Sequence, residues 1–126
     1  MKGFLLDTHA ILWWLDEPSQ LSPSAREAIA DADNFVFVSA AVAWEMAIKK
    51  SIGRLDFPGN FPDVLDEDGI EVLDINIHHA LAVADLPTYH NDPCDRLQIA
   101  QAIIEDLVLI TRDKYVREYA VEWMEA

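Results

Sequence analysis

At 126 residues the chain is one domain, long enough to bury a real core, and with 52% hydrophobic and 25% charged residues it is globular rather than disordered. Nine Lys and Arg stand against 23 Asp and Glu, a net charge of −14, which argues against a broad basic nucleic-acid surface but leaves room for a local one. A single cysteine, Cys94, excludes an internal disulfide and a zinc site built from thiolates.

The N-terminus carries Lys2 and a brief apolar run that Asp7 and His9 break too early for a signal peptide. The longest uncharged stretch, between Asp33 and Glu45, falls well short of the ~20 residues a membrane helix needs. With the lone cysteine, this predicts a cytoplasmic protein with no membrane partner. Gly3 to Leu6 reads as a short strand ending at Asp7, and Thr8 as the cap of a helix through about Leu15. That helix carries Ile11, Leu12, Trp13, Trp14 and Leu15 in succession, so it is either deeply buried or covered by a partner. Ser22-Pro23 opens a second helix with Ala25, Ala28 and Ile29 inward. Phe35 to Val38 is a β-rich run, and Ser39 caps a helix reaching about Ser51 that Gly53 ends.

The Gly/Pro-rich loop Asp56 to Pro62 is too short to act as a linker between domains. Phe61 to Asp68 predicts a short helix stopped by Gly69, Ile70 to Ile75 a third strand, and Ile77 to Leu86 a helix halted by Pro87. Asp92 is a natural N-cap with Pro93 at the first helical position, which puts Asp95 in the first turn, where free N–H groups and the helix dipole favour a carboxylate. Leu97, Ala100, Ile103 and Ile104 recur at helical spacing, with Arg96, Gln98, Gln101 and Glu105 on the wetter side. Leu107 to Ile110 suits a strand covered on both faces, followed by Thr111-Arg112-Asp113. Lys114 to Tyr119 reads as helical and Val121 to Trp123 as an edge strand. The alternation predicts an α/β fold, a parallel sheet with helices on both faces and right-handed crossovers.

In such sheets ligands bind beyond the carboxyl ends of the strands. Asp7 and Asp113 follow strand ends directly or within a turn, and Asp95 opens the helix before the second of those strands. Glu45 lies inside a helix among Ala41, Trp44, Met46 and Ile48. Singly each has an ordinary reading: Asp95 complements the dipole, and Glu45 snorkels to water or pairs with Lys49. Four acids converging on one sheet edge would instead have to take up protons or share a cation. An all-oxygen set suits Mg2+ or Mn2+. The basic residues cluster as Lys49, Lys50 and Arg54, and as Arg112, Lys114 and Arg117; each cluster is either a phosphate-holding patch or a solvated face.

The segments LLDTHAILWWL, VSAAVAWEMAIKKSIGRL, HNDPCDRLQIAQA and LITRD, spanning nearly the whole chain, resemble PIN-domain ribonucleases in the branch of VapC-type toxins. The resemblance implies a single PIN-like domain over residues 1–126 and an endoribonuclease that hydrolyses RNA phosphodiesters with Mg2+ or Mn2+. It implies that Asp7, Glu45, Asp95 and Asp113 bind metal, and that Thr111 orients a carboxylate or water. Thr8, Ser39 and Asp92 match supporting positions and are equally plain caps. Lys49, Lys50, Arg96, Arg112 and Lys114 are then the candidates for holding RNA. Cys94 stands where an aromatic residue is common in related sequences, a change in packing that removes no ligand. A cognate antitoxin and self-association into a homodimer are implied too, with the Trp13-Trp14 helix the candidate partner surface. His9, His78, His79 and His90 are expected to be structural or surface residues without a metal role. Two other classes stay open: a Mg2+-dependent phosphoryl-transfer or phosphatase-like protein, which also places Asp at strand ends, and a non-catalytic interaction module whose acidic face mimics nucleic acid.

Overall fold

In the computed structural model, which describes residues 2–57 and 59–126, five strands form one parallel sheet. They are β1 (Gly3–Leu6), β2 (Phe35–Ser39), β3 (Glu71–Leu73), β4 (Val108–Thr111) and β5 (Trp123–Glu125), in the spatial order β3-β2-β1-β4-β5. The helices are α1 (Thr8–Asp16), α2 (Pro23–Ala30), α3 (Ala40–Ser51), α4 (Phe61–Glu67), α5 (Ile77–Ala82) and α6 (Pro93–Glu105). They cover both faces, as the βα alternation predicted.

Strand alternation sorts the core. Phe4 and Leu6 of β1 face one layer with Val38, Ile110, Ile11 of α1, Ala25 of α2 and Met46 of α3. Leu5 faces the other, with Leu109, Ile99 of α6 and Tyr119. Each fully buried Leu or Ile contributes roughly 1.5–3 kcal/mol through removal from water, so two such layers fix the sheet between them. From β1 the chain first builds β2 and β3 on one side, then crosses to build β4 and β5 on the other. The order therefore reverses between β1 and β4, whose carboxyl ends carry Asp7 and Thr111. Such a reversal leaves a crevice, the usual place for a ligand in an open α/β sheet.

Local chemistry explains most element boundaries. Ser22, Ser39, Asn76 and Asp92 cap α2, α3, α5 and α6, each side chain accepting a backbone N–H of the first turn. Gly53 and Gly69, at φ 74° and 72°, follow α3 and α4 in the left-handed region. At the end of α6 that conformation falls to Asp106, φ 54°. Pro58, within the predicted Asp56 to Pro62 loop, lies outside the described residues. Among the described residues no helix is long and apolar enough to cross a membrane.

Several expectations need correction. Thr8 does not cap α1: Asp7 does, its extended backbone letting the carboxylate accept the Ala10 N–H, and Thr8 is the first helical residue. The helix predicted from Ile77 to Leu86 is α5 plus a tight turn, Val83–Asp85. The third strand is shorter than predicted, Glu71–Leu73. Beyond Asp113 only Val116–Glu118 form a turn of 3₁₀ helix, and the edge strand begins at Trp123, two residues later than predicted. On α6 the predicted wet side is partly inverted. Gln98 and Gln101 are buried, while Ile103 and Ile104 are 42% and 43% exposed. Gln101 is drawn in because the Ser39 hydroxyl donates to its Oε1 at 2.5 Å and its amide reaches the Asp74 carbonyl.

Candidate metal centre at the carboxyl edge of the sheet

Five carboxylates line one open cavity of about 470 Å³: Asp7, Glu45, Asp92, Asp95 and Asp113. They come from the end of β1, the middle of α3, the cap and first turn of α6, and the loop after β4. The four acids singled out from the sequence are thus brought together, and Asp92 is a fifth.

Protein donors hold these groups in place. The Thr111 hydroxyl donates to Asp7 Oδ2 at 2.6 Å and in turn accepts the Asp113 N–H at 3.0 Å, so one side chain ties the ends of β1 and β4. The Ala10 N–H reaches Asp7 Oδ1 at 2.8 Å. The Thr8 hydroxyl donates to Glu45 Oε1 at 2.5 Å, with Lys49 Nζ 3.9 Å from the same oxygen. Asp92 Oδ1 accepts the Asp95 N–H, and Asp113 Oδ1 accepts the Tyr115 N–H. Thr8 and Thr111 therefore orient carboxylates. Ser39 caps α3 and links to α6 but does not line the cavity.

Burial pushes the Asp7 carboxyl above its ordinary range against the pull of its Thr111 and Ala10 hydrogen bonds. Burial, and then the adjacent Asp92 charge, push Asp95 up to about 7, while His90 works the other way. Two unit charges about 4 Å apart in such surroundings repel by roughly 4 kcal/mol, and the two cationic side chains lining the cavity, Lys49 and Arg112, do not balance five acids. Cys94, buried beside the same acids, has its thiol pushed up to about 11, first by burial and then by Glu45 and Asp92. It is a packed neutral group rather than a thiolate.

Hydrophobic periodicity gave no sign of His90's place. Its Nε2 lies 2.9 Å from Asp95 Oδ2 and 2.6 Å from Asp113 Oδ2, in the midst of the cluster. It is neither a surface residue nor remote from the acids. The only sequence signal was its position two residues ahead of the Asp92 cap. The carboxylate oxygens of this set fit a hard divalent cation: ligand oxygens of Asp95 and Asp113 lie within 4.8 Å of one another, as do those of Glu45 and Asp92.

The basic candidates divide. Lys49 and Arg112 line the cavity; Arg112 lies over the Trp13 ring at 4.3 Å and donates to the carbonyls of Gln20 and Ala126. Lys50 does not reach it. It turns back to the Phe57 carbonyl at 3.1 Å, with its charge over the Phe57 ring. Lys114 sits over Tyr115, outside the cavity lining. Arg96 is corrected outright: its guanidinium donates to the carbonyls of Val83, Leu86, Pro87 and His90, so it clamps the loop before α6 and has no fork left for a phosphate. Arg117 is paired with Glu125 at 2.6 Å.

The arrangement also weighs against an aspartyl-phosphate enzyme. Both Asp7 oxygens already accept hydrogen bonds, which suits a fixed anionic ligand better than an attacking nucleophile.

Comparison with known proteins agrees with this architecture. A family model described as PIN domain matches residues 4–122. Ribonuclease VapC22 of Mycobacterium tuberculosis (strain ATCC 25618 / H37Rv) is 33% identical over 123 residues, covering 94% of this chain and 93% of that protein. Among solved structures, VapBC2 from Rickettsia felis bound to a promoter DNA fragment matches with a TM-score of 0.72 at 16% identity, covering 97% of both chains. VapBC-1 from nontypeable Haemophilus influenzae matches with a TM-score of 0.68 at 18% identity, over 98% of this chain and 97% of that one. At such identities the two structures show likeness of fold.

Proposed function

The chain belongs to the PIN-domain family, and from that premise we propose that it is a cytoplasmic endoribonuclease toxin, dependent on Mg2+ or Mn2+ and restrained by a cognate antitoxin. The observation that carries the reading is the cavity itself. Asp7, Glu45, Asp95 and Asp113 face one space, from separate elements, with Asp92 beside them.

Those four acids are the residues that would hold the cation. When bound, a divalent ion supplies Lewis acidity toward a phosphate oxygen and makes water a better nucleophile at neutral pH. The chain's own groups do the rest. Thr111 and Thr8 keep Asp7 and Glu45 turned toward the cavity, so their ordering precedes substrate binding. Lys49 and Arg112 at its wall are the cations available to RNA phosphates. The net charge of −14 restrains indiscriminate attraction of nucleic acid at a distance. No side chain is assigned as nucleophile.

Two surfaces support partners. Leu12 and Leu15 of α1, with Phe57, Phe61 and Val64, line an apolar groove of about 170 Å³ that suits an antitoxin segment. Trp14, by contrast, is tied to Asp68 through its indole N–H at 3.1 Å. Ile77 and Leu81 of α5, exposed by 68% and 66%, are apolar groups that a second copy would cover.

The deciding experiment incubates the purified chain with single-stranded RNA in Mn2+, in Mg2+ and in EDTA, beside Asp7→Asn. Cleavage confined to the metal-containing wild-type reactions is expected, and its suppression by the cognate antitoxin completes the case. Equal cleavage by Asp7→Asn, or cleavage surviving EDTA, would overturn the reading.

A further inference from the structure

We propose that His90 is a positioning residue of the cation site: one imidazole N–H holds the Asp95 and Asp113 carboxylates in the mutual arrangement that a divalent ion requires. The inference rests on the functional reading above and adds to its four acids a residue that the sequence motif does not single out.

The ring's tautomer follows from its surroundings. The backbone N–H of Asp92 points at His90 Nδ1 at 3.2 Å, so Nδ1 acts as acceptor. The proton of the neutral ring is therefore on Nε2, the nitrogen 2.6 Å from Asp113 Oδ2 and 2.9 Å from Asp95 Oδ2. That N–H is shared between two carboxylates from different elements, the first turn of α6 and the loop after β4. No hydrogen bond from any other side chain joins these two acids among the described residues. By bonding to both, the ring keeps oxygens of the two acids on one side of the cavity and within 4.8 Å of one another.

His90 can do this because it is itself immobilised. Its main-chain N–H donates to the Tyr119 hydroxyl at 2.9 Å, its carbonyl accepts from Arg96, and its ring lies 5.2 Å from that of Tyr115. The Tyr119 hydroxyl donates onward to the Pro87 carbonyl, joining the loop to the second core layer. Hydrogen-bonding partners of this kind orient the ligands themselves, and their loss typically weakens metal affinity about 10–100-fold.

The test uses the full chain and Mn2+ alone, read by electron paramagnetic resonance of the free aquo ion. His90→Phe keeps the ring against Tyr115 and removes the N–H; His90→Gln keeps an N–H donor of similar reach. We expect His90→Phe to weaken Mn2+ binding about 10–100-fold, with circular dichroism unchanged, and His90→Gln to recover most of the loss. A merely structural histidine would give equal defects in both variants, or none. Wild-type binding that His90→Phe leaves unaltered would overturn the positioning role alone. A directly coordinated nitrogen in pulsed spectra of the Mn2+-loaded wild type would overturn it too, since Nε2 would then be a ligand rather than a donor. If the wild type binds no Mn2+, the functional reading falls and this inference with it.

Discussion

Thr111 Oγ1 lies 2.6 Å from Asp7 Oδ2, and this one hydrogen bond joins the carboxyl ends of β1 and β4 across the point where the strand order reverses. Replacing Thr111 by Val keeps the shape and removes the hydroxyl. The half-buried Asp7 carboxylate then loses a donor, at a cost of about 1–3 kcal/mol. Chemical denaturation should register that loss, and RNA cleavage should fall much further than for Thr111→Ser, which keeps the bond.

The acid cluster makes stability depend on pH in a definite direction. Asp95 is raised from 3.8 to about 7, first by burial and then by Asp92, and Asp7 is raised by burial. The folded chain therefore binds these protons more tightly than the unfolded one. For Asp95 that contribution to stability is complete below about pH 4, the unfolded carboxylate range, and is lost as pH rises through about 7; the raised Asp7 carboxyl acts in the same direction. In EDTA, Asp95→Asn should flatten the fall in melting temperature between about pH 5 and pH 7.5. Added Mn2+ at about 100 times its dissociation constant should restore about 2.7 kcal/mol at neutral pH in the wild type. An unchanged pH profile in Asp95→Asn would show that its titration is not coupled to folding.

Arg96 is a structural clamp, and its removal should look like one. Arg96→Ala strips donors from the carbonyls of Val83, Leu86, Pro87 and His90. With charged hydrogen bonds at roughly 1.5–3 kcal/mol each and partial replacement by water, a loss of about 2–4 kcal/mol is expected. Hydrogen exchange should quicken across residues 83–92, whereas the salt dependence of RNA binding should stay as in the wild type.

Lys49 and Lys50 are neighbours in sequence with opposite surroundings, so they make a matched pair. Lys49 lines the cavity; Lys50 is bound to the Phe57 carbonyl. Lys49→Ala should weaken RNA binding and reduce the slope of log affinity against log salt by about 0.7, the value for one phosphate contact on a single strand. Lys50→Ala should leave that slope alone. Equal slopes in both variants would remove Lys49 from the substrate path.

What was legible in the sequence was whatever local geometry decides. Asp92-Pro93 set the start of α6, so Asp95 falls where cap chemistry puts it. Gly53 and Gly69 mark helix ends because their φ is positive. What was hidden depends on partners far along the chain. Gln98 and Gln101 look like a wet stripe until α6 is enclosed by α3 and α5, and then a buried hydroxyl claims Gln101. The long side chains of Lys50 and Arg96 take their direction from backbone carbonyls, which leave no trace in residue type. The predicted Lys114 to Tyr119 helix fails because Asp113 accepts the Tyr115 N–H and the Tyr119 hydroxyl is held at Pro87. His90 sits in a loop without periodicity, and nothing nearby in sequence tells that it meets Asp113.

The pairing of β1 with β4 has a consequence for the order of events in synthesis. Thr111 and Asp7 lie 104 positions apart, and the sheet's central strand can meet its second neighbour only after nearly the whole chain exists. Closing so long a loop is slow beside the local pairing of β1 with β2. A nascent chain can therefore build β1, β2 and β3 with α1 to α4 while Asp113 has not yet been made. Asp7 and Glu45 are then present without Thr111, Asp95 and Asp113, and the cavity that concentrates negative charge does not exist. The acid site is complete only when the last strands dock, leaving the interval of translation itself for a partner to arrive first.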